Sequence, residues 1–413
     1  MNRNYSHKQK TAGLIRYSCG LLFMLFSFCY LYFLQGEILA EAQYVYSGGA
    51  TTYHLLIGAV IITAVLQIVQ WIVSLALRLP SRFHALSYLP SMLMLAIITD
   101  MNEATMSNFS FGAWKWIAPL IIVIYVICVS VIKRIAINDE QSDSFKTQLY
   151  PNYIILFVLI LITGAIPQST DVYHYELKTE RLILEEDYEA ATKVGEQSLR
   201  TTPRLTQLRM YALSEQGQLA ERLFEYPQHY GSKGLLDVTD TLSIYRFNTK
   251  RICAYLGAYC GKSVHSASRY YELVFADSLW NQHTIDYYLC SLLLDKKLKE
   301  FQQLLPRYYD LSDSIPNAYN QLPKAYREAL LLTGNHADAL QGKLVIGNDT
   351  LATFTDTDMI QSFNAYNEMK ADIADLTERI NRTHRTFGKT YWWYFDYSNL
   401  AKGELTATPI AKP

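Results

Sequence analysis

The chain has 413 residues, and its 37 lysine and arginine residues nearly balance its 38 aspartate and glutamate residues, which gives a formal net charge of −1 at pH 7. This balance excludes the global basic field that marks nucleic-acid-binding proteins, so we expect no nucleic-acid partner. Apolar residues are concentrated before residue 167, whereas the rest of the chain has an ordinary soluble composition. The sequence therefore predicts a membrane part followed by a soluble part.

Five segments approach the roughly 20 apolar residues that a membrane-spanning helix needs. They are residues 17–35, 54–77, 85–99, 116–132 and 152–166. The third segment is the weakest, because it is short and contains Pro90. The first has no small-residue cleavage site, so we interpret it as a retained anchor. We predict a polytopic transmembrane bundle over residues 1–167, surrounded by membrane lipid.

Lysine and arginine residues in the short loops predict how these spans are oriented. Nine of them lie in the N-terminal tail and in the loops after the second and fourth spans: Arg3, Lys8, Lys10, Arg16, Arg78, Arg82, Lys133, Arg134 and Lys146. The alternate loops, 36–53 and 100–115, hold only Lys115. Because basic loops stay in the cytoplasm, the N-terminus is predicted to be cytoplasmic. An odd number of crossings then places residues 168–413 on the opposite side.

The loop between the first two spans is the most distinctive short segment of the membrane part. Its adjacent glycines permit a tight turn with positive φ, so it is either a simple turn between helices or a binding loop beneath the soluble part. Two acidic residues just beyond the third span are predicted at the same membrane face, as interface polarity or as an acid pair. The candidate interfacial residues are Tyr44, Tyr46, Ser47, Gly48, Gly49, Asp100 and Glu103.

Residues 187–203 resemble the second helix of a tetratricopeptide repeat. The family's pattern of an aromatic, small, apolar and proline residue is met by Tyr188, Ala191, Ser198, Leu199 and Pro203, while Gly195 departs from it. Weaker copies recur around Leu219, Val264, Leu298 and His336, at spacings of 31, 45, 34 and 38 residues. The family's period is about 34 residues, so the array is degenerate, with one insertion near Gln228–Thr241. The resemblance implies an all-α fold, with an α-solenoid over residues 168–350.

Stacked helical hairpins of this kind curve and present a concave groove, which by resemblance holds peptides or partner proteins. Exposed tyrosines would suit such a groove, because each offers a large contact area with a polar tip. The alternative is that most of these tyrosines belong to the core. The candidates are Tyr211, Tyr245, Tyr255, Tyr259, Tyr287 and Tyr288.

The remaining residues are predicted to close the domain. Helical periodicity over Asp358–Thr386 predicts one capping helix within residues 351–400. The aromatic cluster Tyr391–Tyr397 either packs on the last repeat or sits on the outer bilayer interface, as an aromatic belt does. Residues 401–413 are predicted to be a disordered tail.

The six cysteines are irregularly spaced and form no metal-binding pattern. On one unbroken helix Cys253 and Cys260 would lie about 10 Å apart along the axis, too far to bridge, so a disulfide requires Gly257 to break the helix. Phosphate-loop, dinucleotide, zinc-protease and nucleophile-elbow motifs are absent from the sequence. We therefore predict no enzyme activity, no cofactor and no metal site.

The sequence as a whole resembles a family of Bacteroidota membrane proteins with a tetratricopeptide-like external half, on the loop Tyr44–Thr51 and the cluster Tyr391–Phe395. The resemblance implies a Gram-negative inner membrane with the repeats in the periplasm, and no activity. The main hypothesis is a membrane-anchored scaffold for a protein or peptide partner. The alternative is an accessory subunit of an envelope-polymer synthesis or export complex, which predicts polar residues lining a cavity near Asp100.

Overall fold

A computed structural model of the chain describes residues 2–101, 105–106, 110–137, 145–165, 171–239, 245–258, 264, 266–311, 318–333, 343–346, 349–353 and 356–398. The chain forms two compact units, Met1–Leu177 and Lys178–Pro413. The division between them falls within the helix Asp171–Leu184. The described parts of both units are helical, apart from one two-stranded β-hairpin.

Among its described residues, the first unit contains four helices long and apolar enough to cross a bilayer: Gly13–Leu34, Leu55–Leu77, Trp114–Arg134 and Phe145–Ala165. They correspond to the first, second, fourth and fifth predicted spans. Their outward surfaces carry large apolar side chains such as Ile57, Val123 and Phe157, which are about half exposed. An apolar surface this extensive is the kind that bilayer lipid covers.

The described helices of this unit are α1 (Asn2–Cys29, continued by a π-helix over Tyr30–Leu34), α2 (Gly36–Tyr46), α3 (Leu55–Leu77), α4 (Leu89–Thr99), α5 (Trp114–Ile137) and α6 (Phe145–Ala165).

The third predicted span, residues 85–99, is not a single α-helix. A 3-10 helix over Ser81–Tyr88 leads into α4, and Pro90 occupies the first turn of α4, where its missing N–H removes no helical hydrogen bond. Near the start of this segment, the Ala85 N–H donates to Oδ1 of Asn152 on α6 at 2.7 Å. More than half of α4 is buried. The segment therefore lies in the interior of the bundle. Its change from a 3-10 helix to an α-helix explains why the sequence predicts only a weak span.

Helix α1 packs alongside this interior segment. The ring of Phe23 lies 4.9 Å from the ring of Tyr88, and further along the Tyr30 hydroxyl lies 3.4 Å from Oγ1 of Thr99. Both contacts belong to a buried core that also includes parts of α3 and α6. The two elements therefore run side by side over much of their length.

The described helices that follow are α7 (Asp171–Leu184), α8 (Tyr188–Lys193), α9 (Pro203–Glu215), α10 (Leu219–Arg222), α11 (Thr249–Tyr255), α12 (Ala267–Ala276), α13 (Gln282–Leu294), α14 (Leu298–Tyr308), α15 (Lys324–Thr333), α16 (Thr357–Asp372), α17 (Leu376–Phe387) and α18 (residues 391–398). Seven of them begin after a residue whose side chain accepts a backbone N–H of the first turn: Asp187, Thr202, Asn248, Ser266, Asn281, Asp356 and Asp375. Such caps satisfy donors that the helix itself cannot, which explains where these helices start.

The packing of the second unit departs from a linear array of repeats. Helix α10 packs against α15, where the Lys324 N–H donates to the Glu221 carboxylate at 2.7 Å. Phe224, just after α10, lies 5.2 Å from the ring of Tyr391 and 5.1 Å from that of Tyr394. In a simple solenoid each repeat contacts only its neighbours. In addition to pairs of neighbouring helices, the second unit therefore has contacts between distant segments, because buried aromatic residues bring those segments together.

The C-terminal part differs from the expected single capping helix over 358–386. The backbone becomes extended at Ile373 (φ −102°, ψ 109°), and a new helix starts after Asp375, whose carboxylate caps α17. Before these helices, residues 343–346 and 349–353 pair as an antiparallel hairpin, a local exception to the all-α expectation. The last expected repeat copy, around His336, and the predicted tail 401–413 lie outside the described residues.

The aromatic helix α18 packs into the second unit. Trp392 is 1% exposed and donates from Nε1 to the Glu328 carbonyl oxygen at 2.8 Å. The Tyr394 hydroxyl donates to the Leu294 carbonyl oxygen at 2.7 Å. Of the two interpretations of the aromatic cluster, the structure therefore supports packing on the helical domain.

Gly257 breaks the helix that would have kept Cys253 and Cys260 apart. Helix α11 ends at Tyr255, and Gly257 has a φ of +107°, a conformation that side-chain-bearing residues rarely adopt. Cys253 is disulfide-bonded, whereas Cys19, Cys29, Cys128 and Cys290 are free. Cys260, the sixth cysteine, lies outside the described residues. The helix break that a disulfide at Cys253 requires is therefore present.

Candidate functional site

The first candidate site is a cavity of about 320 Å³ in the membrane unit, between the end of α4, the start of α5 and the end of α2. We call it the Asp100 cavity. It is lined by Tyr46, Ile97, Asp100, Met101, Thr105, Ser110, Phe111 and Trp114. A cavity therefore lies near Asp100, but its lining is mainly apolar rather than polar.

One hydrogen bond organises the wall of the Asp100 cavity. Trp114, the first residue of α5, donates from Nε1 to Oδ2 of Asp100 at 2.7 Å. The Trp114 side chain is only 8% exposed and packs against Leu93 and Ala96 of α4. A rigid indole therefore holds the carboxylate in place at the C-terminal end of α4. A tryptophan at the start of an apolar helix is typical of a membrane interface, but only the fold shows that Trp114 is the partner of Asp100.

The loop after α2 forms a hydrogen-bonded turn beside this cavity. The Gly49 N–H donates to the Tyr44 carbonyl oxygen at 2.9 Å, and the Thr51 N–H donates to Oγ of Ser47 at 3.2 Å. Gly48 and Gly49 have φ values of +61° and +84°, as predicted for adjacent glycines in a tight turn. Among the loop candidates only Tyr46 lines the cavity. The structure thus supports a turn that presents one tyrosine, while Glu103 lies outside the described residues.

The second candidate site is a surface of the second unit where aromatic rings alternate with carboxylates. Ring centroids of Tyr211 and Tyr255 lie 4.8 Å apart, and those of Tyr255 and His283 lie 4.6 Å apart. Tyr188 extends the row, 6.3 Å from Tyr211. We call this surface the aromatic–acidic face and define it by Tyr188, Tyr211, Glu215, Tyr255, His283 and Asp286.

Two carboxylates in this face are held by tyrosine hydroxyls. The Tyr211 hydroxyl donates to Glu215, and Tyr309 and Tyr326 donate to Oδ1 of Asp286 at 2.5 and 3.0 Å. Burial raises the pKa of Tyr211 and Tyr309, and the adjacent carboxylates raise it further. These hydroxyls therefore stay protonated as donors. Among the ion pairs of the described residues, neither carboxylate has a lysine or arginine partner.

The predicted groove tyrosines divide between core and surface. Tyr245 and Tyr287 are 3% and 0% exposed, so the alternative that the tyrosines are core residues holds for these two, whereas Tyr211 is 8% exposed and is a mostly buried member of the aromatic–acidic face. Tyr255 and Tyr288 are partly exposed, and Tyr259 lies outside the described residues. Only Tyr211 and Tyr255 belong to the aromatic–acidic face. Helical spacing could have revealed its other members, because Tyr211 and Glu215 are four residues apart and His283 and Asp286 three.

A serine and a histidine meet within the aromatic–acidic face. Oγ of Ser214 lies 3.2 Å from Nδ1 of His283 and 3.1 Å from the Tyr255 hydroxyl. Ser214 is 2% exposed, so a substrate carbonyl cannot reach its hydroxyl. This contact is therefore a structural hydrogen bond that ties α9 to α13. Among the described residues, no group of three His, Cys, Asp and Glu side chains could hold a metal ion.

Comparison with known proteins gives one match. Residues 104–272 and 261–398 match the family described as "Family of unknown function (DUF6057)". The chain belongs to this family. The match covers the last part of the membrane unit and nearly all described residues of the second unit, so the family includes both kinds of segment. No curated protein and no solved structure matches the chain.

Proposed function

We propose that this family member is a membrane-anchored scaffold of a Bacteroidota inner membrane, whose second unit binds a protein or peptide partner in the periplasm. The observation that carries the proposal is the aromatic–acidic face. Tyrosine is favoured at protein interfaces because it combines a large contact area with a polar hydroxyl. Two carboxylates without a basic partner among the described ion pairs would attract a basic partner segment, since complementary charge steers association.

Helical pairs in the second unit support a tetratricopeptide-like origin for this face. Helix α8 packs against α9, and α13 packs against α14, each pair joined by a short connection. The face draws its residues from α8, α9, α11 and α13 in turn. A surface assembled from successive helices is the usual way in which helical repeats hold extended peptides.

A fifth membrane crossing, in addition to the four long helices, would place the second unit in the periplasm. The segment Ser81–Thr99 combines a 3-10 helix, rising about 2.0 Å per residue, with α4, rising about 1.5 Å per residue. From Ala85, after the predicted loop residue Arg82 and the kink at Phe83, they extend up to about 24 Å, which is most of the roughly 30 Å hydrocarbon core of a bilayer. The segment can therefore supply a crossing even though α4 alone is too short.

Contacts along α5 support the same crossing. Asp100 meets Trp114 at the first residue of α5, while Leu79 packs with Val129 much further along that helix. The stretch of α5 between these contacts rises about 22 Å. A segment that follows α5 over this length traverses most of the apolar layer. Together with the four long helices, this segment would make five crossings. This is the odd number that the distribution of basic residues among the loops predicts.

The disulfide at Cys253 supports the same location. Disulfides form and persist in the oxidising periplasm and are rare in the reducing cytoplasm. An even number of crossings would leave Cys253 on the same side as the basic N-terminal tail. The disulfide therefore favours five crossings over four.

Site-specific crosslinking in living cells tests the scaffold proposal. Tyr188→p-benzoylphenylalanine places a photoreactive group in the aromatic–acidic face, and Leu199→p-benzoylphenylalanine is the matched control, because Leu199 is 65% exposed and outside this face. We expect a discrete crosslinked partner from position 188 alone, whose yield falls at least several-fold when Glu215→Gln and Asp286→Asn are added. Equal crosslinking from both positions, or a yield unchanged by neutralisation, would reject the proposal.

The Asp100 cavity favours a second candidate function, an accessory subunit of an envelope-polymer synthesis or export complex. Such a subunit would contact a lipid-linked substrate through its membrane unit. Polar side chains and aromatic rings around one cavity are the features of a small-molecule site. Co-purification of a polymer-synthesis or export enzyme that depends on Asp100 would support this function, whereas a complex that survives Asp100→Asn would argue against it.

A further inference from the structure

We propose that the Asp100 cavity binds the ammonium headgroup of a bilayer phospholipid of the phosphatidylethanolamine class. This inference goes beyond the scaffold proposal and does not depend on it. It rests on the chemistry of the cavity wall and on the position of that wall at the end of an apolar helix.

The cavity wall combines aromatic rings with one carboxylate. Tyr46, Phe111 and Trp114 all line the cavity, and Asp100 lines it beside them. The faces of aromatic rings carry negative electrostatic potential, and clusters of such rings recognise ammonium groups. A carboxylate at the same wall can accept charge-assisted hydrogen bonds from a primary ammonium group. This composition selects a cation over an anion.

The carboxylate is positioned before any ligand arrives. The hydrogen bond of 2.7 Å from Trp114 Nε1 to Asp100 Oδ2 fixes its orientation, and the buried indole is itself fixed by packing against Leu93 and Ala96. A preorganised acceptor loses less conformational entropy on binding than a mobile one. The Trp114–Asp100 pair is therefore suited to holding a small cationic group.

The surroundings indicate a lipid headgroup as the occupant. Trp114 begins the apolar helix Trp114–Arg134, and Phe111 and Trp116 are 72% and 76% exposed beside it. Exposed aromatic residues at the end of a span lie at headgroup depth. Lys115, next to Trp114, is exposed at the same depth and offers a cation for the lipid phosphate. The ammonium and phosphate of one zwitterionic headgroup would thus meet opposite charges.

The size of the cavity fits such a group. Its volume of about 320 Å³ lies at the lower end of the roughly 300–1,000 Å³ that small-molecule sites occupy. A cavity of this size admits a headgroup but not a folded segment of another protein. The acyl chains would remain in the surrounding bilayer.

Native mass spectrometry of the full-length protein, released from nanodiscs containing equal amounts of phosphatidylethanolamine and phosphatidylglycerol, tests this inference. We expect one retained phosphatidylethanolamine molecule per chain. Asp100→Asn is expected to weaken its retention about tenfold, which corresponds to about 1.4 kcal/mol. Phe111→Ala should weaken it by a factor of about two to five, because one exposed cation–π contact is lost.

Trp116→Ala is the matched control, because Trp116 is exposed two residues from Trp114 but does not line the cavity. It should leave lipid retention unchanged. Equal retention of phosphatidylglycerol, or retention that Asp100→Asn and Phe111→Ala both leave intact, would overturn the inference. Phe111 is 72% exposed, so its replacement tests the site without threatening the fold. The readout needs no protein partner, so its failure would leave the scaffold proposal standing.

Discussion

Glu328 allows a quantitative test of how the C-terminal aromatic helix is held. Its side chain is 2% exposed, and its Oε2 accepts the Tyr391 N–H at 2.6 Å, while Nζ of Lys324 lies 3.9 Å from Oε1. Burial raises the pKa of Glu328 from 4.5 to about 7, because neither the N–H donor nor the nearby cation fully replaces water. Glu328 therefore keeps its proton in the folded protein at pH values where the unfolded chain has lost it.

The sign of the effect follows from proton linkage. Below the unfolded pKa of 4.5 both states are protonated, and the contribution of Glu328 to stability is fully present. As the pH rises towards about 7, the unfolded state loses its proton first, so stability falls. At about 1.36 kcal/mol per pKa unit, the loss amounts to about 3 kcal/mol. Above pH 7 the contribution of Glu328 to stability changes no further.

Glu328→Gln removes the titrating group but keeps an oxygen that can accept the Tyr391 N–H. Guanidinium unfolding can be followed by the fluorescence of the neighbouring Trp392 and Trp393. As the pH rises from 4.5 to 7, the free energy of unfolding of the variant should increase relative to that of the natural protein, by up to about 3 kcal/mol. Glu378→Gln, at a carboxylate whose side chain is 59% exposed, is the control and should show no such gain. A stability difference between Glu328→Gln and the natural protein that does not vary with pH would refute this reasoning.

Three further changes test other parts of the fold. Gly257→Ala should destabilise the second unit by several kcal/mol, measured by thermal unfolding, because a Cβ there would lie 2.0 Å from the Leu279 carbonyl oxygen and φ is +107°; an unchanged melting temperature would contradict the helix break. Glu180→Gln should cost about 3–5 kcal/mol in denaturant unfolding, since it leaves Arg204, whose side chain is 13% exposed, without its 2.9 Å ion-pair partner; a cost under about 1 kcal/mol would show that the pair is solvated. Alkylation of the denatured protein without reductant should label four cysteines and leave Cys253 unlabelled, and labelling of Cys253 would exclude the disulfide.

Local sequence signals predicted much of the membrane unit. Four of the five spans were recognisable from composition alone, because an apolar run of sufficient length has few other uses. The third was ambiguous, since Ser81–Tyr88 is polar and adopts a 3-10 helix inside the bundle. Its buried partners, such as Asn152 of α6, come from distant parts of the chain. Hydropathy predicts whether a segment is compatible with lipid, but it does not predict how that segment packs against other helices.

The second unit was harder to predict, because its decisive contacts are not local. Periodicity indicated helices, but it could not show that Phe224 packs against Tyr391 and Tyr394. The same limit applied to the tyrosines. A tyrosine suits a core and a binding surface equally well, and only the fold separates buried Tyr287 from partly exposed Tyr255.

Both candidate sites were partly visible in the sequence. Asp100 and Tyr46 were identified as interfacial residues, and they do line one cavity. The role of Trp114 as the donor to Asp100 was not predictable, because it depends on α4 and α5 meeting at those residues. The aromatic–acidic face likewise depends on four helices aligning their side chains.

Accessibility of engineered cysteines in intact cells tests the central claim, that the second unit lies across the membrane from the basic N-terminal tail. Lys193→Cys reports on the second unit at a side chain that is 63% exposed, and Arg134→Cys reports on the basic end of α5. With the outer membrane permeabilised, a membrane-impermeant maleimide should label position 193 and should label position 134 only after the inner membrane is opened. Labelling of 193 only after the inner membrane is opened would contradict five crossings and the periplasmic scaffold with them.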